Sequence, residues 1–533
     1  TRVRRARDAR MDSSITTIIW IVAFVLVTIT VTGFSGRIGW STPVCLVIVG
    51  GIVSFIPGIP PIRIEPELIL YALLPPLLFA TAIRSSIADI RARGDSIFVL
   101  SVVLVLLTVV SVGFFTWWVV PAITLATGFA FAAVVAPTDA VAVTAVAGRG
   151  NLPRRLLTIV ESESLFNDAA ALVALSAAIS AIVGVIDPPV IALDFVLAVV
   201  VGVAFGVGVG YGTSFIRRRL TSPVIDTALS LATPFLAFIP AQLLHGSGVL
   251  AVVIAGLIIS YHAPVVQSAE ARIASSINWR TIRFLLENSV FLFIGLNLKG
   301  ILDGTAQSKV GLWPTIGICV ATLLFLLLSR TVWILLATLV FRRGPRRLRA
   351  RGWSWKIALG IGFSGIRGVV TLAAVFLLPP ETPQRPFLQL LAFVVVVGTL
   401  IQGLALPAFI RMLRLPQPNR DQEHTEAHQL LVEVRAAGAK ALDEQTRGLP
   451  DSPLVDKLRA DAELFTRAME GAIPQGNDPK TVSIARLRLG MIEAERAAVL
   501  QARSEGRFQD KAIRDVLASI DAEEVAVRVL GQK

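Results

Sequence analysis

Charge is scarce in this chain. Asp, Glu, Lys and Arg make up 16% of its 533 residues, where a soluble domain carries about a quarter. That shortage excludes an ordinary solvated domain as the whole of it. Only two cysteines occur, Cys45 and Cys319, both in apolar segments and without metal-ligand spacing, so they carry no zinc site and say little about redox compartment. The four histidines (His245, His262, His424 and His428) all lie outside the centres of the apolar runs. HExxH, GxSxG with a companion histidine, and a nucleotide-binding loop are all missing, so the chain reads as no enzyme and no cofactor is expected. What it has in quantity is apolar length, with 54% hydrophobic residues and a mean hydropathy of +0.72. The formal charge of +13 resides largely in arginines between apolar runs, which fits cytoplasmic loops on a lipid bilayer and not a nucleic-acid surface.

Thirteen runs are long enough to cross a bilayer: 15–35, 40–57, 66–84, 96–120, 121–147, 154–183, 188–215, 222–243, 247–261, 281–298, 311–341, 352–379 and 387–411. Arginines follow the odd-numbered runs, as with Arg84, Arg91 and Arg93, then Arg217, Arg218 and Arg219, then the cluster from Arg342 to Arg351. Loops after even-numbered runs are poorer, with Arg63, Lys299 and Lys309 as exceptions. The alternation predicts odd loops in the cytoplasm, the N-terminus outside and the C-terminus inside. Residues 2–10 are Arg-rich and disagree; Met11 reads as a start position, and no cleavable signal peptide follows it. The Arg and Ala bias suits a GC-rich bacterial genome, hence a multi-pass protein of the bacterial inner membrane. Three regions result: a tail at 1–14, a membrane domain at 15–412, and a charged, Ala-rich cytosolic region at 416–533 with three or four predicted helices.

The stretch ESESLFNDAA, from Glu161 to Ala170, puts ionisable groups inside the sixth run. Asp168 falls ~20 Å along a helix starting near Arg154, close to mid-bilayer. Ser164, Asn167 and Asp168 share one helix face, and Ser, Asn and Asp oxygens suit a small hard cation. Glu163 flanks them. In the fifth run, Pro137 of PTDAVAV removes a backbone donor, which predicts a break at Thr138 and Asp139. Unwound backbone at this depth must line a cavity or be buried in protein, and there a carboxylate can meet the N-termini of half-helices. The twelfth run, GIGFSGIRGVVTLAA, holds Arg367 among glycines and reads as the inverted-repeat partner of that break. Arg330 is a lone cation in the eleventh run and requires an anion, for which Glu163 is the candidate. Glu287 opens the tenth run beside Arg283, either as an interfacial glutamate or as a functional one.

Taken together with LLPPLLF, ESLFND, FLFIGL, SRTV, GIRG and TLIQGLALP, these motifs resemble, in order across residues 15–412, the sodium/proton exchangers of the cation/proton antiporter superfamily, NhaP-like branch. The resemblance implies an all-α polytopic membrane protein of about thirteen helices with inverted repeats and two broken, crossing helices, assembled as a homodimer with elevator-like alternating access. It implies Asp168 as the carboxylate that binds Na⁺ or H⁺, Asn167 as its partner, Asp139 and Thr138 as a supporting pair, and Ser164 as a further oxygen ligand. Glu163 would pair with Arg330, and Arg367 would stabilise the second break. Exchange of Na⁺ or Li⁺ for H⁺, electroneutral because position 167 is Asn, is the implied activity; K⁺/H⁺ exchange is the near alternative and a channel or sensor the distant one. Two departures stand out: the family's TDP is TDA here, with Ala140, and its GES is SES, with Ser162. No motif in the C-terminal region points to a catalytic role.

Overall fold

A computed structural model describes residues 19–57 (apart from 21 and 38–40), 69–85, 94–147, 152–184, 188–306, 312–344 and 354–415, with scattered positions of the C-terminal region. The chain divides into two compact units, Thr1–Pro418 and Asn419–Lys533. The tail at 1–14 and nearly all of the helices expected at 416–533 lie outside the described residues.

Every regular element of the first unit among the described residues is a helix, because a backbone in hydrocarbon must satisfy its polar groups within its own segment. In chain order they are α1 Val22–Arg37, α2 Thr42–Ser54, α3 Leu70–Ala82, α4 Val99–Val119, α5 Leu125–Val135, α6 Ala140–Ala147, α7 Arg154–Val183 and α8 Pro188–Arg217. Then come α9 Pro223–Leu243, α10 Gly248–Val266, α11 Ala269–Leu296, α12 Leu298–Ala306, α13 Leu312–Arg343, α14 Trp355–Phe363, α15 Val369–Phe376 and α16 Arg385–Met412. Side-chain oxygens of Thr124, Ser247, Ser268 and Ser354 accept an N–H at the starts of α5, α10, α11 and α14, filling donors that a helix start leaves open. Among the described residues seven helices are long and apolar enough to cross a membrane, or eight if α11 and α12, bent by 41°, form one span. The protein is a multi-pass membrane protein.

The apolar runs fall on these helices with one notable difference. α11 begins at Ala269, twelve residues before the run at 281–298. Its first turns, AEARIASSINWR, are polar and amphipathic, so a hydropathy reading misses them, while the Ser268 cap and buried Trp279 fix them in place. Trp279 Nε1 donates to Ser230 of α9 (2.8 Å).

Polar contacts sort the helices into two sets. Ser101, Thr138, Asn167, Arg330, Arg367 and Gln402 tie α4–α7 to α13–α16. In the other set, Asp226 at the start of α9 takes Arg217 of α8 (3.3 Å) and Gln267 beyond α10 (2.6 Å). Where α11 meets α15 the contact is aromatic, Phe293 on Phe376 with centroids 5.4 Å apart. α2 and α11 approach backbone to backbone at Gly50 and Gly295, where any Cβ would collide with the facing main chain. Gly295→Val should therefore destabilise the fold by ~1–3 kcal/mol through overpacking, read as a lowered midpoint in a detergent-solubilised thermal-unfolding assay. An unchanged midpoint would refute the close approach.

Candidate functional site

Among the described residues two helices are unwound over several residues within the membrane domain. α5 stops at Val135 and α6 starts at Ala140, around Pro137; α14 stops at Phe363 and α15 starts at Val369, across Ser364–Gly368. The two breaks touch. Asp139 N–H donates to Ile366 O (2.8 Å), Val369 N–H donates to Asp139 Oδ2 (3.3 Å), and Arg367 Nε donates to Val135 O (3.0 Å). These bonds make the broken helices cross at their interruptions.

The charges at the crossing complement the helix ends. Asp139 accepts from Ala142 N–H (3.2 Å) in the first turn of α6 and from Val369 N–H at the start of α15. One carboxylate thus meets two positive N-terminal ends. Arg367, wholly buried, donates to Val135 O at the end of α5 and to Gly365 O just beyond α14, so one guanidinium meets two negative ends. Its backbone N–H donates to Thr399 Oγ1 of α16 (3.0 Å), and Gln402 Nε2 donates to Phe363 O (2.8 Å). The geometry leaves no room for a side chain at Gly368, where a Cβ would overlap the Asp139 carboxylate.

α7 lays its polar face on this crossing. Thr138 Oγ1 donates to Glu163 Oε1 (3.1 Å) and accepts from Asn167 Nδ2 (2.9 Å), which also donates to Thr138 O (3.2 Å). Ser164 Oγ accepts from Ala140 N–H (3.2 Å). A proline at 140 could not make that bond, so Ala140 leaves the break intact and gives it an extra tie to α7. Glu163 Oε1 pairs with Arg330 Nη2 of α13 at 2.7 Å, both side chains at most 4% exposed. Ser101 Oγ, in a π-turn of α4, donates to Glu163 O (3.1 Å).

Thr138, Asp139, Glu163, Ser164, Asn167, Arg330 and Arg367 therefore form one connected cluster. Asp168 follows on α7 and differs from all of them. It is half-buried and makes no hydrogen bond or ion pair among the described residues. Next to it in sequence, Asn167 Oδ1 is buried and accepts nothing among them. Glu287 has a separate partner, Arg283 one turn earlier on α11, at 2.5 Å. The motif TLIQGLALP contains Thr399 and Gln402 without indicating a role for either, and Ser101 belongs to no motif. Thr399 and Gln402 are polar residues three apart in the apolar α16, and that shared face was the available signal.

A family profile described as sodium/hydrogen exchanger, transmembrane, matches residues 21–412. The chain belongs to the sodium/hydrogen exchanger family. The family's activity is cation/proton antiport, which makes this a transporter class and not an enzyme class. An uncharacterized Na⁺/H⁺ exchanger of Mycobacterium tuberculosis is 32% identical over 95% of both chains. A sodium, potassium, lithium and rubidium/H⁺ antiporter of Bacillus subtilis is 31% identical over 64% of this chain and 53% of its own. The solved sodium proton antiporter MjNhaP1 of Methanocaldococcus jannaschii superposes with a TM-score of 0.60 at 18% identity, over 75% of this chain and 98% of its own. That likeness concerns the fold.

In this exchanger the Glu163–Arg330 pair is buried, so removing one partner strands the other. Arg330→Leu should lower stability by ~3–5 kcal/mol, while the double replacement Glu163→Leu with Arg330→Leu should recover most of the unfolding midpoint. A double variant no more stable than the single one would overturn the pairing. Gly368→Ala should displace Asp139 and cut exchange more than tenfold, as about 1.4 kcal/mol at the transport barrier suffices for each factor of ten; full activity in vesicles would contradict the contact.

Proposed function

We propose that this exchanger moves Na⁺ or Li⁺ inward or outward against H⁺ by alternating access around Asp168, one cation for one proton. The observation that carries the reading is the contrast at the crossing: Asp139, Glu163, Arg330 and Arg367 are engaged by neighbours, whereas Asp168 is uncommitted and half-buried. Beside it, the unfilled Asn167 Oδ1 supplies a neutral oxygen, and such a donor set suits a hard cation. Thr138, Ser164 and Asp139 are the other oxygen-bearing side chains at the crossing and complete the proposed ligand set.

Coupling follows from competition. A bare carboxylate near mid-bilayer costs about 2.5–3.5 kcal/mol on insertion scales, and either a proton or a cation removes that charge. If only the neutralised site crosses, each cation carried one way is matched by a proton carried the other. Asn167 adds no second titrating group, and this favours electroneutral exchange. The polar cluster binds α4–α7 and α13–α16 into one body, which would move past the body containing α8–α11. The full reading has thirteen crossings with inverted halves, a homodimer, the N-terminus outside and the C-terminus in the bacterial cytoplasm. K⁺ remains the second cation to test, because the Bacillus subtilis relative is named for potassium as well as sodium.

Purified protein in liposomes with an imposed pH gradient should show proton movement on adding Na⁺ or Li⁺, with Asp168→Asn reducing it to the protein-free rate. Activity surviving in Asp168→Asn would move the site elsewhere. Because protons compete with the cation, the apparent KM for Na⁺ should rise by up to about tenfold per unit as pH falls through the protonation of Asp168. Electroneutral exchange generates no net current on a solid-supported membrane, and a sustained Na⁺-dependent current would exclude one-for-one coupling.

A further inference from the structure

α7 is tied to the first break twice. Thr138, within the break, bonds Glu163 and Asn167. Ala140, the first residue of α6, donates its main-chain N–H to Ser164 Oγ at 3.2 Å. Ala140 and Ser164 are each 6% exposed, so water does not compete for this second bond. A helix start leaves its first N–H groups without carbonyl partners. At the start of α6 the Ala142 N–H goes to Asp139 Oδ1 (3.2 Å), whereas the Ala140 N–H crosses to α7. The crossing bond depends on the residue type at 140, because a proline has no N–H to give.

Ser164 stands one helical turn, ~6 Å, before Asp168 on the same face of α7. A serine hydroxyl oxygen has two lone pairs. The Ala140 N–H takes one of them and leaves the other for a cation. Among the described residues this is the one polar bond that Ser164 makes. A serine inside a helix otherwise tends to bond the carbonyl one turn back on its own helix, so the Ala140 N–H decides where this oxygen points. The donor itself is held still. Asp139, next to it in the chain, is fixed by Ala142 N–H and by Val369 N–H from the second break.

We propose that Ala140 is a positioning residue that sets cation preference: its N–H locks Ser164 Oγ at a fixed distance from Asp168, so that the site grips a small cation better than a large one. This inference rests on Asp168 and Ser164 as ion ligands. Selection between cations of equal charge depends on cavity size, ligand number and flexibility. A small ion needs its oxygens drawn close and loses most when one of them is free to withdraw. A larger ion fills a looser shell. Residue 140 touches no ion and acts through Ser164.

The test is Ala140→Pro in full-length protein, reconstituted in liposomes with an imposed pH gradient. The first position of a helix is where proline fits best, so this change deletes the N–H and keeps α6. KM for Na⁺ and for Li⁺ should rise about three- to tenfold, the worth of one hydrogen bond. K⁺, read as a competitor of Na⁺ exchange so that its binding registers whether or not it is carried, should change less than about twofold. In a Ser164→Ala background, Ala140→Pro should shift none of these values further, because both changes remove the same bond. An unmoved ratio of K⁺ to Na⁺ constants in Ala140→Pro overturns the inference, even where the unfolding midpoint falls. A further shift of that ratio in the Ser164→Ala background overturns it too. If the ring prevents assembly, the α-hydroxy analogue of alanine at position 140 removes the same N–H without a ring and should give the same shift. A shifted Ser164→Ala beside an unshifted Ala140→Pro refutes this inference alone; wild-type constants in Ser164→Ala refute the reading of Ser164 as a ligand as well.

Discussion

Hydrocarbon offers no partner to a charge or an open peptide group, and that constraint shapes everything near the middle of this protein. Breaking two helices there exposes two positive and two negative ends at one level. The structure sets the ends against each other and fills the centre with one anion and one cation. Asp139 bridges the starts of α6 and α15, and Arg367 bridges the ends of α5 and α14. Each charged residue solves a problem that the other break creates, so neither break is stable alone. The local sequence serves this arrangement: Pro137 opens the first break, and Gly368 lets the Asp139 carboxylate approach the second.

The remaining buried charges are held by the same principle. Glu163 takes Arg330 on one oxygen and the Thr138 hydroxyl on that same oxygen, which fastens α7 and α13 to the first break. Such a pair contributes little net stability compared with apolar packing, but its geometry is unforgiving. It fixes the register of α7, so that Asn167 reaches Thr138 at the first break.

Much of this was legible in the sequence because its causes are local. Proline and glycine breaks, long apolar runs and a single buried arginine that needs an anion can all be seen in one dimension, and they led to the broken helices and to the Glu163–Arg330 pair. Arg367 shows the limit. Its position among glycines marked it as unusual, but its partners are the carbonyls of Val135 and Gly365, and carbonyls have no letter in a sequence. Ser164 is another such case: its hydroxyl accepts the Ala140 N–H, a backbone partner that no residue letter announces. The early start of α11 escaped a hydropathy reading because polar residues there pack against protein at Trp279. Thirteen as the number of crossings and the inverted relation of the halves are long-range properties, beyond what runs of apolar residues determine.

The distribution of polar contacts bears on movement. Hydrogen bonds and ion pairs have fixed geometry, so helices joined by them move together; apolar contacts lack direction and tolerate sliding. Within the set built on the crossing, Ser101, Glu163, Arg330, Arg367, Thr399 and Gln402 give such fixed joints. α8, α9 and α10 have theirs in the Arg217–Asp226–Gln267 group and in the Ser247–Ala198 bond. Between α7 and that second set lies an open cavity whose wall is largely apolar. That distribution supports the proposed movement, because a rigid polar core loses few directional bonds when it shifts along such a boundary.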